Sequence, residues 1–251
     1  MIDTHAHLEQ ILCDTRGEVD KIILAAADLE TSKNNLELAK KYDFLYPAIG
    51  IHPQSPVEKI EDLEKLMTKK VVAVGECGLE FVGEYDRKNQ EICFRNQIEL
   101  AQKYKIPLII HARKAVGEVI EILKEYKNIS GVFHCYAGGI KRIKNVLELG
   151  KNWYFGIDGN LTYEDGLVSV VKNIPKGRLI LETDCPYLTP LPFRGQENKP
   201  AHVKYIYQKV ADIWEMSFEE TEKIVDGNAR KLFGINPNPS LSLDRARVKA
   251  N

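Results

Sequence analysis

The chain is poor in the features that mark several large classes of protein. Cysteine is odd in number and forms no CxxC pair, with five residues in all: Cys13, Cys77, Cys93, Cys135 and Cys185. This pattern argues against a disulfide framework and for a reducing compartment. No apolar run is long enough to span a bilayer, and no secretory signal precedes the first apolar stretch. These absences predict a cytoplasmic protein that does not enter a membrane.

An excess of charge and the common nucleotide-binding motifs are also absent. The sequence has 35 basic and 36 acidic residues, which gives a formal net charge of −1. No global electrostatic footprint for nucleic acid exists, so a partner that carries phosphate must be held locally. The sequence contains neither GxGxxG after its first strand nor GxxxxGK[ST], which weakens the case for a nucleotide-binding fold.

What the 251 residues do contain is an alternation of short apolar runs with amphipathic helical patterns. The runs predict eight strands, near 1–7, 21–27, 45–51, 71–76, 108–111, 131–134, 153–157 and 179–182. Eight strand–helix units at this spacing predict an α/β protein with a (β/α)₈ TIM-type barrel, and an open doubly wound sheet is the alternative. We expect a single domain over residues 1–235 and a loosely docked or disordered tail over 236–251.

Five of the six histidines fall at or just beyond the carboxyl ends of predicted strands. In a barrel these ends converge on one face, where active sites are built. His5 and His7 are two residues apart in "DTHAH", so both side chains can face the interior. Two adjacent imidazoles are good ligands for a divalent metal, although a pair satisfied by neighbouring polar groups is also open.

Other strands end in ionisable residues as well: Glu76, His111, His134 and Asp184. Burying such groups is costly unless they are paired or bind a metal. The six residues are too many for one catalytic metal, which usually takes three protein ligands and water. They suit two metals that share a carboxylate, and such pairs typically catalyse hydrolysis at phosphorus or carbon.

The ordered motifs "DTHAHL", "GIHP", "VGECGLE", "HAR", "HCYAGG" and "ETDCPYL", followed by "RGQENKP" and "NARKLF", resemble the TatD family of metal-dependent hydrolases, within the amidohydrolase-like barrels. The resemblance implies a metallo-dependent hydrolase barrel with His5, His7 and Asp184 around one metal. His111 and His134 would bind the other, and Glu76 would bridge the two. The family commonly has aspartate where this chain has Glu80.

Several further residues are candidates for contacts with substrate or with the ligands. His52 in "GIHP" is predicted to contact a substrate phosphate or to support the metals, mainly because of the family match. Arg113 can grip phosphate or form a surface ion pair. Arg194 and Asn198 follow the eighth strand, where barrels often bind phosphate. Glu182 can hydrogen-bond a ligand histidine or serve as a structural carboxylate of the core.

Strand alternation would turn Cys77, Cys135 and Cys185 away from the metals, as small buried filler. The family implies a DNA 3′–5′ exonuclease that acts on single strands or 3′ ends, with Asp184 and Glu76 as catalytic groups. Hydrolysis of an ester or amide, such as a D-aminoacyl-tRNA, is the alternative, and a non-catalytic metal-binding scaffold is a third. The metal can be Mg²⁺, Mn²⁺ or Zn²⁺. The oligomeric state stays open, with a monomer as one option.

Overall fold

Parallel strands in strict chain order form the centre of the molecule. The computed structural model describes residues 1–8, 17–54 and 59–235. Its eight strands are β1 Ile2–Ala6, β2 Lys21–Leu24, β3 Leu45–Ile49, β4 Ala73–Glu80, β5 Leu108–Arg113, β6 Gly131–Phe133, β7 Trp153–Ile157 and β8 Leu179–Leu181. Every strand pairs in parallel with the next, in the order β1 to β8. The predicted TIM-type barrel is therefore confirmed, and the open doubly wound alternative is wrong.

Helices follow most of the strands. They are α1 Leu29–Lys41, α2 Ile60–Glu64, α3 Arg87–Tyr104, α4 Val116–Lys124, α5 Gly139–Glu148, α6 Asp165–Asn173, α7 Val203–Trp214 and α8 Phe218–Phe233. Local chemistry sets several of their ends. Asp28 and Ser217 form capping boxes with Thr31 and Glu220 at the starts of α1 and α8, where side-chain oxygens satisfy free backbone N–H groups. The predicted tail, 236–251, lies outside the described residues.

The inside of the barrel is apolar at the amino end of the strands. One buried cluster takes a residue from each of the eight strands: Ile2, Ile23, Ala48, Ala73, Ile109, Val132, Tyr154 and Ile180. Ala229, Leu232 and Phe233 of α8 pack against the same cluster. Because apolar side chains fill this end, the polar side chains that point into the barrel lie at the carboxyl end. Barrels place their active sites at that end.

The barrel closes through a narrow seam between its first and last strands. Within the described residues, one isolated bridge joins the two ends of the sheet, between Ala6 of β1 and Cys185, four residues beyond β8. Two backbone hydrogen bonds flank it, from His7 N to Cys185 O at 2.8 Å and from Asp184 N to His5 O at 2.9 Å. The buried carboxylate of Asp3 also accepts the Thr183 N–H across the seam, at 2.9 Å.

One strand differs in length from its prediction. The apolar run predicts that the fourth strand ends at Glu76, but β4 continues to Glu80. Its pairing with β5 shifts register after Val74 and then runs from Cys77 to Glu80. The pattern of apolar residues could not predict this extension, because the added residues depend on pairing with the long strand β5. Glu76 therefore lies in the middle of β4 and points into the barrel.

Candidate metal centre

The barrel brings the six predicted ligands together at its carboxyl end. They lie in or just beyond β1, β4, β5, β6 and β8, as His5, His7, Glu76, His111, His134 and Asp184. Asp184 stands three residues beyond β8 in a left-handed conformation, with φ 54°. Their side chains form two clusters around Glu76.

The first cluster consists of His5, His7, Asp184 and one oxygen of Glu76. The two histidine Nε2 atoms are 3.2 Å apart. From Asp184 Oδ1 they lie at 3.5 and 3.4 Å, and from Glu76 Oε2 at 3.4 and 3.5 Å. A tetrahedral ion with bonds of about 2.0–2.1 Å holds its ligands about 3.3–3.4 Å apart. The five distances that involve the two histidines thus match those around a tetrahedral ion, and His5, His7 and Asp184 form a group with ligand atoms close enough to hold one.

The second cluster surrounds the other oxygen of the same carboxylate. Glu76 Oε1 lies 2.9 Å from His111 Nδ1 and 2.7 Å from His134 Nε2. These two nitrogen atoms are 3.4 Å apart. His52 Nε2 approaches Glu76 Oε1 to 3.5 Å, and His52, Glu76 and His111 form a group with ligand atoms close enough to hold one ion. Glu76 therefore offers one oxygen to each cluster.

The electrostatics of the clusters also suit a cation. Burial alone would lower the pKa of His134, but the Glu76 carboxylate raises it to about 10. Burial is likewise overcome at His7, where Asp184 and Glu76 raise the pKa to about 9. At His5, burial and then the neighbouring charge of His134 lower the pKa to about 4. Glu76 and Asp184 thus attract positive charge, which protons or metal ions can supply.

Glu182 lies beneath the second cluster. Its Oε1 accepts the Cys135 N–H at 2.5 Å and stands 3.8 Å from His134 Nδ1. Burial raises the pKa of Glu182 to about 8. Glu182 Oε2 and His134 Nδ1 are both buried without a hydrogen-bond partner. The structure thus places Glu182 next to a predicted ligand, but 3.8 Å exceeds a hydrogen bond, so its role as a supporting carboxylate stays a prediction.

A cavity of about 540 Å³ opens above both clusters. Its lining includes His52, whose Nδ1 accepts the Gln54 N–H at 3.2 Å, so that its Nε2 faces Glu76. Arg113 also lines the cavity, and its side chain is 62% exposed. His52 and Arg113 therefore lie where a substrate bound over the clusters would pass.

The structure places the other two predicted substrate residues farther from the clusters. The Arg194 guanidinium stacks over the Tyr163 ring, 4.1 Å from its centroid. Asn198 is buried, and its amide donates to the carbonyl oxygens of Thr183 and Tyr187 at 2.8 and 2.6 Å. Neither residue lines the described cavity. Asn198 instead fixes the loop that carries Asp184.

The orientation predicted for Cys135 is wrong. Its Sγ belongs to a group with ligand atoms of His134 and Asp184 that lie within 4.8 Å of one another. Strand alternation does not apply here, because β6 ends at Phe133 and Cys135 adopts a left-handed φ of 41°. Cys77 and Cys185, in contrast, are buried among the apolar residues, as predicted.

Two residues of the site were not among the predicted contacts. Glu80 Oε2 lies 3.2 Å from His111 Nε2, and Gln54 Nε2 donates to the same oxygen at 3.2 Å. A signal for Glu80 was available, because residues 76 and 80 face the same side of a continuous strand. Glu80 stood out only as a departure from the family's aspartate, and its contact with His111 was missed because the strand was predicted to end at Glu76.

Comparison with known proteins places this site in a family. The sequence model described as "TatD related DNase" matches residues 2–234. The chain belongs to the TatD family. A Bacillus subtilis protein of this kind, YabD, is named as an uncharacterized metal-dependent hydrolase. It is 38% identical, over 94% of this chain and 100% of its own length. A Mycoplasma genitalium metal-dependent hydrolase, MG009, is 33% identical, over 92% and 98%.

Solved structures of TatD proteins share the fold. The YJJV TatD homologue of Escherichia coli superposes with a TM-score of 0.87 at 27% identity, over 94% of this chain and 98% of that one. A TatD-family hydrolase of Entamoeba histolytica gives a TM-score of 0.80 at 26% identity, over 92% and 97%. The predicted family is confirmed, and the chain is a TatD-family metal-dependent hydrolase. None of the helices within the described ranges is long and apolar enough to cross a membrane.

Proposed function

We propose that this TatD-family protein removes nucleotides from the 3′ ends of DNA with two divalent ions, one held by each cluster. The observation that carries the proposal is the orientation of Glu76, which turns Oε2 to the first cluster and Oε1 to the second. Two metal ions that share a ligand in this way are common in enzymes that cleave phosphodiesters. The family description, "TatD related DNase", supports the same chemistry.

Divalent ions bound there would polarise the phosphoryl oxygens and lower the pKa of water. The protein supplies the remaining functions. Glu76 fixes the spacing of the two clusters through its two oxygens. Asp184, whose side chain is 13% exposed and lines the cavity, orients the attacking water and accepts its proton. Opposing the effect of burial, the hydrogen bond with His7 keeps the pKa of Asp184 below its usual range, so the carboxylate is ionised.

Substrate is held by groups at the rim of the cavity. Arg113 and His52 would contact the phosphate, with Arg194 and Asn198 acting on the more distant backbone or through their loop. Tyr187 is 62% exposed, and its ring centroid lies 6.3 Å from that of His7. An exposed ring at this position would stack on an unpaired base, which favours single-stranded ends. The free, buried thiols of Cys77 and Cys185 suit a reducing cytoplasm, and all the described groups of the site come from one chain, which suits a monomer.

The test is hydrolysis of a single-stranded DNA oligonucleotide labelled at its 3′ end. The protein is first treated with a chelator and then given Mg²⁺, Mn²⁺ or Zn²⁺. Asp184→Asn should lower the rate by about 10²–10⁴-fold, the usual contribution of a positioned acid–base group. Asp43→Asn makes the same chemical change at an exposed residue just before β3, at the opposite end of the barrel, and should cleave as wild type does.

The outcomes separate the candidate functions. Loss of the 3′ label with metal, and its retention in Asp184→Asn, would support the nuclease. If a folded, metal-loaded protein leaves DNA intact with every ion, the nuclease proposal fails. The same preparations should then be tested on ester and amide substrates, including a D-aminoacyl-tRNA.

A further inference from the structure

Glu80 is a buried carboxylate in direct contact with one of the predicted ligands. It is the last residue of β4 and is 1% exposed. Its Oε1 accepts the Val82 N–H at 2.7 Å. Gln90 holds its backbone from both sides, accepting the Glu80 N–H and donating to the Glu80 carbonyl, each at 3.0 Å. The position of this side chain is therefore fixed by its own loop and by α3.

The other oxygen of Glu80 faces the ring of His111. Glu80 Oε2 lies 3.2 Å from His111 Nε2, whereas His111 Nδ1 lies 2.9 Å from Glu76 Oε1. A neutral imidazole has one N–H donor and one nitrogen with a free lone pair. If Nε2 donates its hydrogen to Glu80, the lone pair of Nδ1 points into the second cluster.

We propose that Glu80 is a positioning residue that selects this tautomer of His111 and thereby prepares the second cluster for its ion. Carboxylates that accept the distal N–H of a ligating histidine fix its orientation and raise its basicity. The inference rests on the part of the proposed function in which the second cluster binds an ion. It does not depend on which bond the enzyme cleaves.

The same oxygen connects the second cluster to the cavity. Gln54 Nε2 donates to Glu80 Oε2 at 3.2 Å, and Arg113 Nη1 lies 3.9 Å from it. Gln54 and Arg113 both line the cavity above the clusters. Glu80 thus contacts a predicted metal-binding histidine on one side and, on the other, two residues that line the cavity.

Two substitutions separate the length of the side chain from its charge. Glu80→Asp keeps the charge but withdraws the carboxylate by about one C–C bond, roughly 1.5 Å, which breaks the contact with His111. Glu80→Gln keeps the length and an acceptor oxygen but removes the charge. We therefore expect Glu80→Asp to weaken ion binding by the second cluster more than Glu80→Gln does. Glu84→Gln, at an exposed residue four positions on, is the matched control.

The first measurement is the affinity for Zn²⁺ alone, by competition with a chromophoric chelator. Wild type and Glu84→Gln should bind two ions. Glu80→Asp should bind the ion of the second cluster about 10–100-fold more weakly, the usual cost of losing such a partner, with the first cluster unchanged. Equal affinity for both ions in wild type, Glu80→Asp and Glu80→Gln would overturn the proposal.

The second measurement needs no variant of Glu80. Long-range ¹H–¹⁵N NMR of Zn²⁺-loaded protein with ¹⁵N-labelled histidine reports which ring nitrogen carries hydrogen, and His111→Gln assigns the signal. The proposal requires hydrogen on Nε2 of His111, and hydrogen on Nδ1 would refute it. Neither readout involves DNA, so failure here is distinct from failure of the nuclease proposal. A wild-type protein that binds only one ion would instead overturn both the two-ion site and this inference.

Discussion

Metal binding is expected to release at least two protons per protein between pH 6 and 8. Carboxylates raise the pKa of His7 to about 9 and that of His134 to about 10, against the effect of burial. Both imidazoles therefore carry a proton at neutral pH when no ion is bound. A ring nitrogen must lose its proton before it can bind a metal, so loading both clusters displaces one proton from each histidine.

The number of protons released sets how steeply affinity depends on pH. With two protons, the overall association constant should rise about 100-fold for each pH unit below the two pKa values. Isothermal titration of the chelated protein with Zn²⁺, in buffers of different ionisation enthalpy, gives the proton count directly. Competition with a chelator at pH 6, 7 and 8 gives the slope independently.

Two variants make the result specific. His7→Gln should reduce the count by about one proton, because it removes one of the two titrating rings. His202→Gln changes a histidine that stacks on Phe193, outside both clusters, and should leave the count unchanged. Release of less than one proton by wild type, or an affinity that is flat from pH 6 to 8, would refute this description of the clusters.

Two further predictions concern stability. The raised pKa values of His7 and His134 stabilise the metal-free fold fully below their unfolded value of 6.5, and this contribution is lost as pH rises through about 9 and 10. Thermal unfolding of chelated protein should therefore show a falling Tm from pH 7 to 10, and a constant Tm would contradict it. An added Cβ at Gly78 (φ +139°) would stand 2.0 Å from the His111 carbonyl oxygen, whereas Gly150 (φ +136°) has nothing within 4 Å. In urea unfolding, Gly78→Ala should cost about 1–3 kcal/mol more than Gly150→Ala, and equal costs would refute the clash.

The sequence predicted the convergence of the ligands because that depends on a regular feature of the fold. Parallel strands in a barrel present their carboxyl ends to one face, so a histidine or carboxylate at the end of each apolar run must approach the others. His111 and His134 could be placed by this reasoning alone. The same reasoning could not predict that the two Glu76 oxygens face different clusters, because that depends on side-chain torsions.

The features that were missed depend on local departures from regular geometry. Cys135 turns toward the site because its φ of 41° breaks the alternation of β6, and no sequence pattern marks that change. Glu80 reaches His111 because β4 outlasts its apolar run, held by the partner strand β5. Gln54 and Glu80 are 26 residues apart, a separation at which hydrophobic periodicity carries no information.

The seam between β1 and β8 gives the metal centre a second consequence, in the order of assembly. His5 and His7 stand on one side of the seam and Asp184 on the other, beside the bridge from Ala6 to Cys185. The first cluster therefore does not exist until the two ends of the sheet have met, a contact between residues almost 180 positions apart. Bringing such distant segments together costs loop-closure entropy before their contacts repay it. An ion bound by the first cluster would therefore stabilise the joined ends of the sheet, and its removal would weaken them.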